Sequence, residues 1–446
     1  MKNKISALIL TLISLISCIG LSGCGGKKNT SQVYFLNFKP EAATVYEDLA
    51  KKYEEEKGVK VKVVTAAANS YEQTLKSEIA KSDAPTIFQV NGPIGFDAWK
   101  DYCLDIKDSK LYSYLSDKDL AIKKDDGVYA IPYVVEGYGI IYNNAIMKKY
   151  FALENKKTDV NSVSEINNFK TFKAVVEDMT ANKEKLGIKG VFASTSLASG
   201  EDWRWQTHLL NIPLYYEMKD DSTEDPTLNL LDKDEIKNTY SKNFQNLFDL
   251  YINNSVTSRT LLGSKSVADS MAEFALGQAA MVQNGNWGWS QIEGVSGNTV
   301  KSEDVKMMPM YTGITGEESQ GICIGTENYL AINKHATEES QKASLEFLEW
   351  LFSSDMGKKY VTEKLGFITP FNTFSENELP GDPLAKEISR YMNSDSHKNI
   401  PWVFTAFPSE AFKKHVGSSL LDYAQGNNKW EDVEDAVKSK WKSERK

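Results

Sequence analysis

Val33-Tyr34-Phe35-Leu36, then Val59-Lys60-Val61-Lys62-Val63-Val64, then Thr86-Ile87-Phe88-Gln89-Val90 are three short apolar or alternating runs with helical stretches between them. From Glu41 to Lys57, Tyr46, Leu49, Ala50 and Tyr53 recur at the i, i+3, i+4, i+7 spacing of one buried helix face, and Gly58 follows as a C-terminal stop. From Tyr71 to Lys81, Tyr71, Leu75 and Ile79 align in the same way. Strand, helix, strand, helix, strand predicts an α/β fold of parallel strands under covering helices. In such open sheets the ligand crevice lies beyond the carboxyl ends of the strands. The loops after the first and third strands are therefore candidate binding edges, with Asn37, Phe38 and Lys39 on one and Asn91, Gly92 and Pro93 on the other, and Gln89 just before the second.

Upstream of this core, Lys2 and Lys4 precede an apolar run from Ile5 to Leu21, which ends in Leu21-Ser22-Gly23-Cys24. That is a secretory signal with a lipoprotein cleavage box, predicting removal of residues 1–23 and a thioether-linked lipid on Cys24. Acyl chains would then hold the protein on the outer face of a cell membrane, as suits a bacterium with no outer membrane. The small polar segment 24–32 reads as a flexible tether.

Losing residues 1–23 takes away two lysines and no acids, which leaves 50 basic against 61 acidic residues. No basic patch points to nucleic acid. The length that remains exceeds what one core usually serves, so two domains are expected. Cys103 and Cys323 read as free buried thiols. His208, His335, His397 and His415 lack metal-ligand spacing, and no phosphate loop, nucleophile elbow or His-Glu-x-x-His motif is present. Neither a metal nor any other cofactor is expected.

Further along, the chain carries Gly127-Val128-Tyr129-Ala130-Ile131-Pro132, continuing through Val135-Glu136-Gly137-Tyr138-Gly139 to Asn143. It then carries Phe274-Ala275-Leu276-Gly277-Gln278-Ala279-Ala280-Met281 before Asn284-Gly285-Asn286-Trp287-Gly288-Trp289, and finally Phe347-Leu348-Glu349-Trp350-Leu351 before Gly366-Phe367-Ile368-Thr369-Pro370. In order and spacing these resemble the extracellular solute-binding proteins of carbohydrate ABC importers, the maltose-binding-protein-like group, over nearly the whole mature length.

The resemblance implies a two-lobed, type II periplasmic-binding-protein fold with mixed, mostly parallel sheets and a multi-strand hinge. By similarity, lobe 1 comprises 33–137 and 308–353, and lobe 2 comprises 138–307 and 354–446. The crossings fall within Val135 to Ile141, near Met308-Pro309 and just after Phe352, with Gly137 and Gly139 relaxing the first. The implied function is binding, not catalysis: a monomer captures a mono- or oligosaccharide between the lobes and delivers it to permease subunits driven by a separate ATPase.

A pyranose needs flat rings for its C–H faces and paired donors and acceptors for its hydroxyls. The resemblance makes Trp287 and Trp203 candidate platforms, with Trp402 or Phe407 as a third, and Glu136 a carboxylate for hydroxyls. Asn286, Tyr138 and Asp202 are further candidates, while Trp289, about 200° round a helix from Trp287, reads as core. Gln89 and Asn91 stand where the maltose-binding relative has a tryptophan and an aspartate, so amides replace a ring and a charge. Other readings of the same ingredients are a peptide or other solute as ligand, or a secreted glycoside hydrolase with two carboxyl groups across a bond.

Overall fold

The computed structural model of the chain describes residues 33–445 apart from 68–69, 223–224 and 376. The cleavage box, Cys24 and the 24–32 tether lie outside the described residues.

Strand β1 (Val33–Asn37) is buried on both faces, and its side chains alternate between two cores. Val33 and Phe35 face a cluster with Tyr46, Leu49 and Tyr53, whereas Tyr34 and Leu36 face one with Tyr71, Leu75 and Phe88. Period-two alternation with apolar residues at every position is what a doubly covered strand requires. β1 pairs in parallel with β2 (Val61–Thr65) and β3 (Ile87–Asn91). Helix α1 (Ala43–Lys57) buries the four predicted residues and stops at Gly58, which takes φ 70. It begins after a 3-10 turn at Pro40–Ala42, later than the predicted Glu41. Helix α2 (Tyr71–Glu78) covers the other face.

The sheet is completed by β4 (Ile122–Lys124), β5 (Gly127–Pro132) and a late strand, β11 (Asn328–Ile332), in the order β2-β1-β3-β11-β5-β4. The second sheet runs β12-β10-β6-β8-β7, and β9 also pairs with β6. Its strands are β6 (Glu136–Asn143), β7 (Gly190–Phe192), β8 (Ala279–Gly285), β9 (Val305–Met308), β10 (Gln320–Gly325) and β12 (Lys398–Ile400). Each sheet centres one lobe of a two-lobed α/β fold. Both sheets are mixed, but antiparallel pairings outnumber parallel ones, contrary to the mostly parallel expectation. The excess comes from chain reversal: β11 and β6 enter from the other lobe and run against their neighbours.

Two crossings differ from the expected places. β9 and β10 both pair with β6, so residues past Met308 stay on the second sheet, and the chain returns to the first between Gly325 and Asn328. After Phe352 the chain remains against the first lobe: Tyr360 Oη donates to Asp48 Oδ2 at 2.6 Å, and the Phe352 and Phe371 rings lie 4.6 Å apart. It reaches the second lobe by the helix Pro383–Met392, whose Glu387 accepts the Met307 N–H. Nor do Gly137 and Gly139 have positive φ. A methyl on Gly137 would lie 2.6 Å from Ile388 Cδ1, and one on Gly139 2.5 Å from the Met308 carbonyl oxygen. Close packing, of a helix side chain on Gly137 and of a neighbouring strand's backbone on Gly139, rather than backbone freedom, accounts for the small residues there.

Cys103 and Cys323 are free and buried, and desolvation pushes both thiols up to about 12. No helix among the described residues is long and apolar enough to cross a membrane.

Candidate functional site

The carboxyl ends of β1 and β3 face the second lobe and form one wall of the candidate site. Asn37, fully buried, folds the following loop onto itself: Oδ1 accepts the Lys39 N–H at 3.0 Å, and Nδ2 donates to the Lys39 carbonyl at 2.7 Å and Thr65 Oγ1 at 3.1 Å. Gln89 is likewise occupied, because Oε1 accepts the Phe38 N–H at 2.5 Å and Nε2 donates to Tyr133 Oη at 2.5 Å. These amides build the loop that carries Lys39. Asn91, half-buried, ends β3 beside Glu327, whose carboxyl is raised by burial and eased by Asn91 and the lysines nearby.

Lys39 itself is buried, and its Nζ lies 2.7 and 2.9 Å from the two oxygens of Glu136. Burial acts to lower Lys39, but the Glu136 and Glu41 carboxylates outweigh it and hold the ammonium above its ordinary range. Glu136 begins β6 and pairs with Gly325 of β10, so this ion pair ties the first-lobe loop to a strand of the second sheet. The lobes also touch where helix α3 (Gly92–Trp99) starts: a methyl on Gly92 would lie 2.9 Å from Thr405 Cβ.

The second wall is aromatic. Tyr138 on β6 stacks on His208, with ring centroids 3.8 Å apart and planes 5° from parallel. Around this pair stand Trp402, 5.5 Å from Tyr138, Trp203, 4.8 Å from His208, and Trp287, 5.7 Å from His208 and 6.0 Å from Trp203. Trp203 and Trp287 are half-buried. The Trp287 indole folds back across Gly285, where any Cβ would collide with the ring. Asn286 supports this turn by accepting the Gly137 N–H on Oδ1 at 2.9 Å.

A π-helical segment, Arg204–Leu209, explains how Trp203 and His208 meet. Five residues apart, they would diverge by about 140° on an α-helix, but i→i+5 bonding brings them to one side. His208 is 3% exposed, and burial, with Arg204 beside it, holds its ring well below the ordinary imidazole range. Arg204 lies over Trp203 with its guanidinium carbon 3.9 Å from the ring centroid, and its Nη2 donates to Asn284 Oδ1 at 3.1 Å.

The remaining candidates are placed elsewhere. Phe407 packs with Phe412 and Trp441 at 5.6 and 5.8 Å, inside the C-terminal helices, so Trp402 is the one of the two that joins the aromatic cluster. Asp202 accepts from Gln206 Nε2 at 2.9 Å and packs its carboxylate against Gly417. Trp289 packs against the apolar cluster of Met271, Phe274 and Ile292. Sequence reasoning did not single out His208 and Arg204, which pack on the Trp203 ring; their signal was a histidine five residues, and an arginine one residue, after a candidate tryptophan. No group of three metal-ligating side chains occurs among the described residues.

A family model of bacterial extracellular solute-binding proteins matches residues 48–387. No curated protein sequence matches the chain. Among solved structures, a solute-binding protein, RafE, in complex with raffinose is 18% identical, with a TM-score of 0.69 over 93% of this chain and 100% of its own. A chitin oligosaccharide binding protein is 16% identical, with a TM-score of 0.69 over 93% of this chain and 99% of its own. A Bacillus licheniformis sugar transporter protein in complex with stachyose is 15% identical, with a TM-score of 0.67 over 93% and 100%. The chain belongs to the bacterial extracellular solute-binding proteins.

Proposed function

We propose that this protein is the sugar-capturing component of an ABC importer, lipid-anchored through Cys24 and taking a mono- or oligosaccharide between its lobes. The observation that carries this reading is the aromatic wall of Tyr138, Trp203, His208, Trp287 and Trp402, built where the chain crosses between sheets. Half-buried indoles suit the C–H faces of pyranose rings, and a hinge beneath them couples ligand contact to closure. Saccharide ligands in similarly folded proteins support the same reading.

On this reading the first lobe comprises 33–135 and 326–374, and the second comprises the remainder to 445. Trp287 and Trp203 are platforms, Trp402 the third ring, Asn91 a hydroxyl partner, and Glu136 with Lys39 a latch across the cleft. Gln89, Asn37 and Asn286 position this set. Permease subunits receive the closed form, and ATP is hydrolysed by another chain.

Calorimetric titration of the full chain against mono-, di- and oligosaccharides, with a peptide panel alongside, tests the reading. Saturable binding to a sugar class, with oligosaccharides recovered intact, is the expected result. Binding to peptides alone, or hydrolysis of the sugars, would overturn it. Labelling cells with a palmitate analogue should mark the wild type and leave Cys24→Ser unmarked.

A further inference from the structure

Three cations stand at or behind the inter-lobe face with little or no access to solvent, and two of them have acids. Lys39 is bound by Glu136, and Lys413 lies 2.8 Å from Glu410. Arg204 is 2% exposed, and among the described residues no carboxylate lies within ion-pair distance of it. The acid nearest it in sequence, Glu201, accepts the Val267 N–H and acts on Arg204 only from beyond ion-pair distance. Arg204 Nη2 has the Asn284 amide, but Nη1 has no partner in the protein. One turn on, His208 Nδ1 is also buried without a partner. Both side chains contact the ring of Trp203, one of the cleft tryptophans.

A guanidinium held away from water without a carboxylate bonded to it is costly, and burial pulls Arg204 down to about 9 against the upward pull of Glu201. A neutral hydroxyl would satisfy an N–H but leave the charge uncompensated. An anionic oxygen group satisfies both, through charge-assisted bonds to a fork-shaped donor. The whole chain has a formal charge of −9, so its overall field does not gather anions and any preference for one must be local.

We infer that Arg204, with His208 beside it, forms an anion-accepting subsite at the aromatic wall, and that the ligand is an acidic saccharide bearing a carboxylate or a sulfate ester. The inference rests on the sugar-binding reading above and narrows it to a charge class. The sugar ring lies against the Trp203 and Trp287 platforms while its anionic group reaches Arg204 Nη1. Parting of the lobes or rotation of the Trp203 indole admits it.

The test titrates the full chain with galacturonate mono- to tetrasaccharides, glucuronate disaccharides, the methyl esters of the same compounds, sulfated disaccharides and neutral sugars. Esterification keeps the ring and linkage and removes the charge. Free acids or sulfated sugars should bind about tenfold or more tighter than the esters and neutral sugars. In Arg204→Gln that ratio should fall toward one. Arg204→Lys should retain part of it. The acid-to-ester ratio of the wild type stands as a test even if a variant fails to fold. Uronates and sulfated sugars are separated by which arm carries the Arg204 dependence. Esters or neutral sugars binding as tightly as the acids would overturn this inference and leave the sugar-binding reading intact. No saccharide binding at all would overturn both.

Discussion

The two walls of the cleft use their polar groups in opposite ways. On the first-lobe wall, Asn37, Gln89 and Lys39 are each bonded inside the protein, and the Lys39–Glu136 pair closes the set across the lobes. On the second-lobe wall, Arg204 Nη1, His208 Nδ1 and Trp402 Nε1 are buried with no protein partner, close to the half-buried rings of Trp203 and Trp287. Buried polar groups are rarely left unpaired without reason. Thr326 Oγ1 and Asn328 Oδ1, at the first lobe's edge beside Asn91, are also unpartnered, so the contrast is between the internally bonded Lys39 loop and the aromatic wall, which keeps hydrogen-bonding capacity in reserve.

The largest effect is expected where the first wall is broken. Lys39→Ala leaves Glu136 as a buried carboxylate without its cation and should cost about 3–5 kcal/mol in urea unfolding. The double variant Lys39→Met with Glu136→Gln removes both charges and should recover most of that loss. A loss below about 1 kcal/mol would mean that the pair is not sealed from solvent.

Next in size is a pH dependence behind the second wall. Burial lifts Asp202 from its ordinary 3.8 to about 6, so the folded chain keeps a proton that the unfolded chain has released. That stabilisation is complete below about pH 4 and is lost as pH rises through 6. It amounts to roughly 2–3 kcal/mol between those limits. Asp202→Asn should flatten the stability curve over this window in thermal melts, and an unaltered curve would assign the slope to other groups.

Smaller again, and confined to ligand binding, Trp287→Ala should cost roughly 2 kcal/mol of sugar affinity. Gln89→Ala should lower stability instead, by about 1–3 kcal/mol, because it strips the Phe38 N–H and Tyr133 of their partner. If Gln89→Ala weakened sugar binding as much as Trp287→Ala while the fold kept its stability, the proposed division between the walls would fail.

Residues 33–91 were legible because strand alternation, the α1 face and the Gly58 stop are local signals that packing then reinforced. The crossings were less so. β9 and β10 carry buried residues like any strand, and only their pairing with β6 reveals which lobe owns them. Asn37 and Gln89 sit at the strand ends where a ligand amide belongs, yet the same atoms are needed to hold the Lys39 loop. His208 escaped notice because a lone histidine carries no pattern, and the π-helical turn that brings it to Trp203 breaks the 3.6-residue register used to assign helix faces.

The most direct test of the aromatic wall as the ligand site is a crystal structure of the full chain with the tightest-binding saccharide from the titrations. A pyranose face within van der Waals distance, about 3.5–4 Å, of the Trp287 or Trp203 ring is the expected result. A saccharide bound between the lobes but contacting none of Tyr138, Trp203, His208, Trp287 and Trp402 would contradict it.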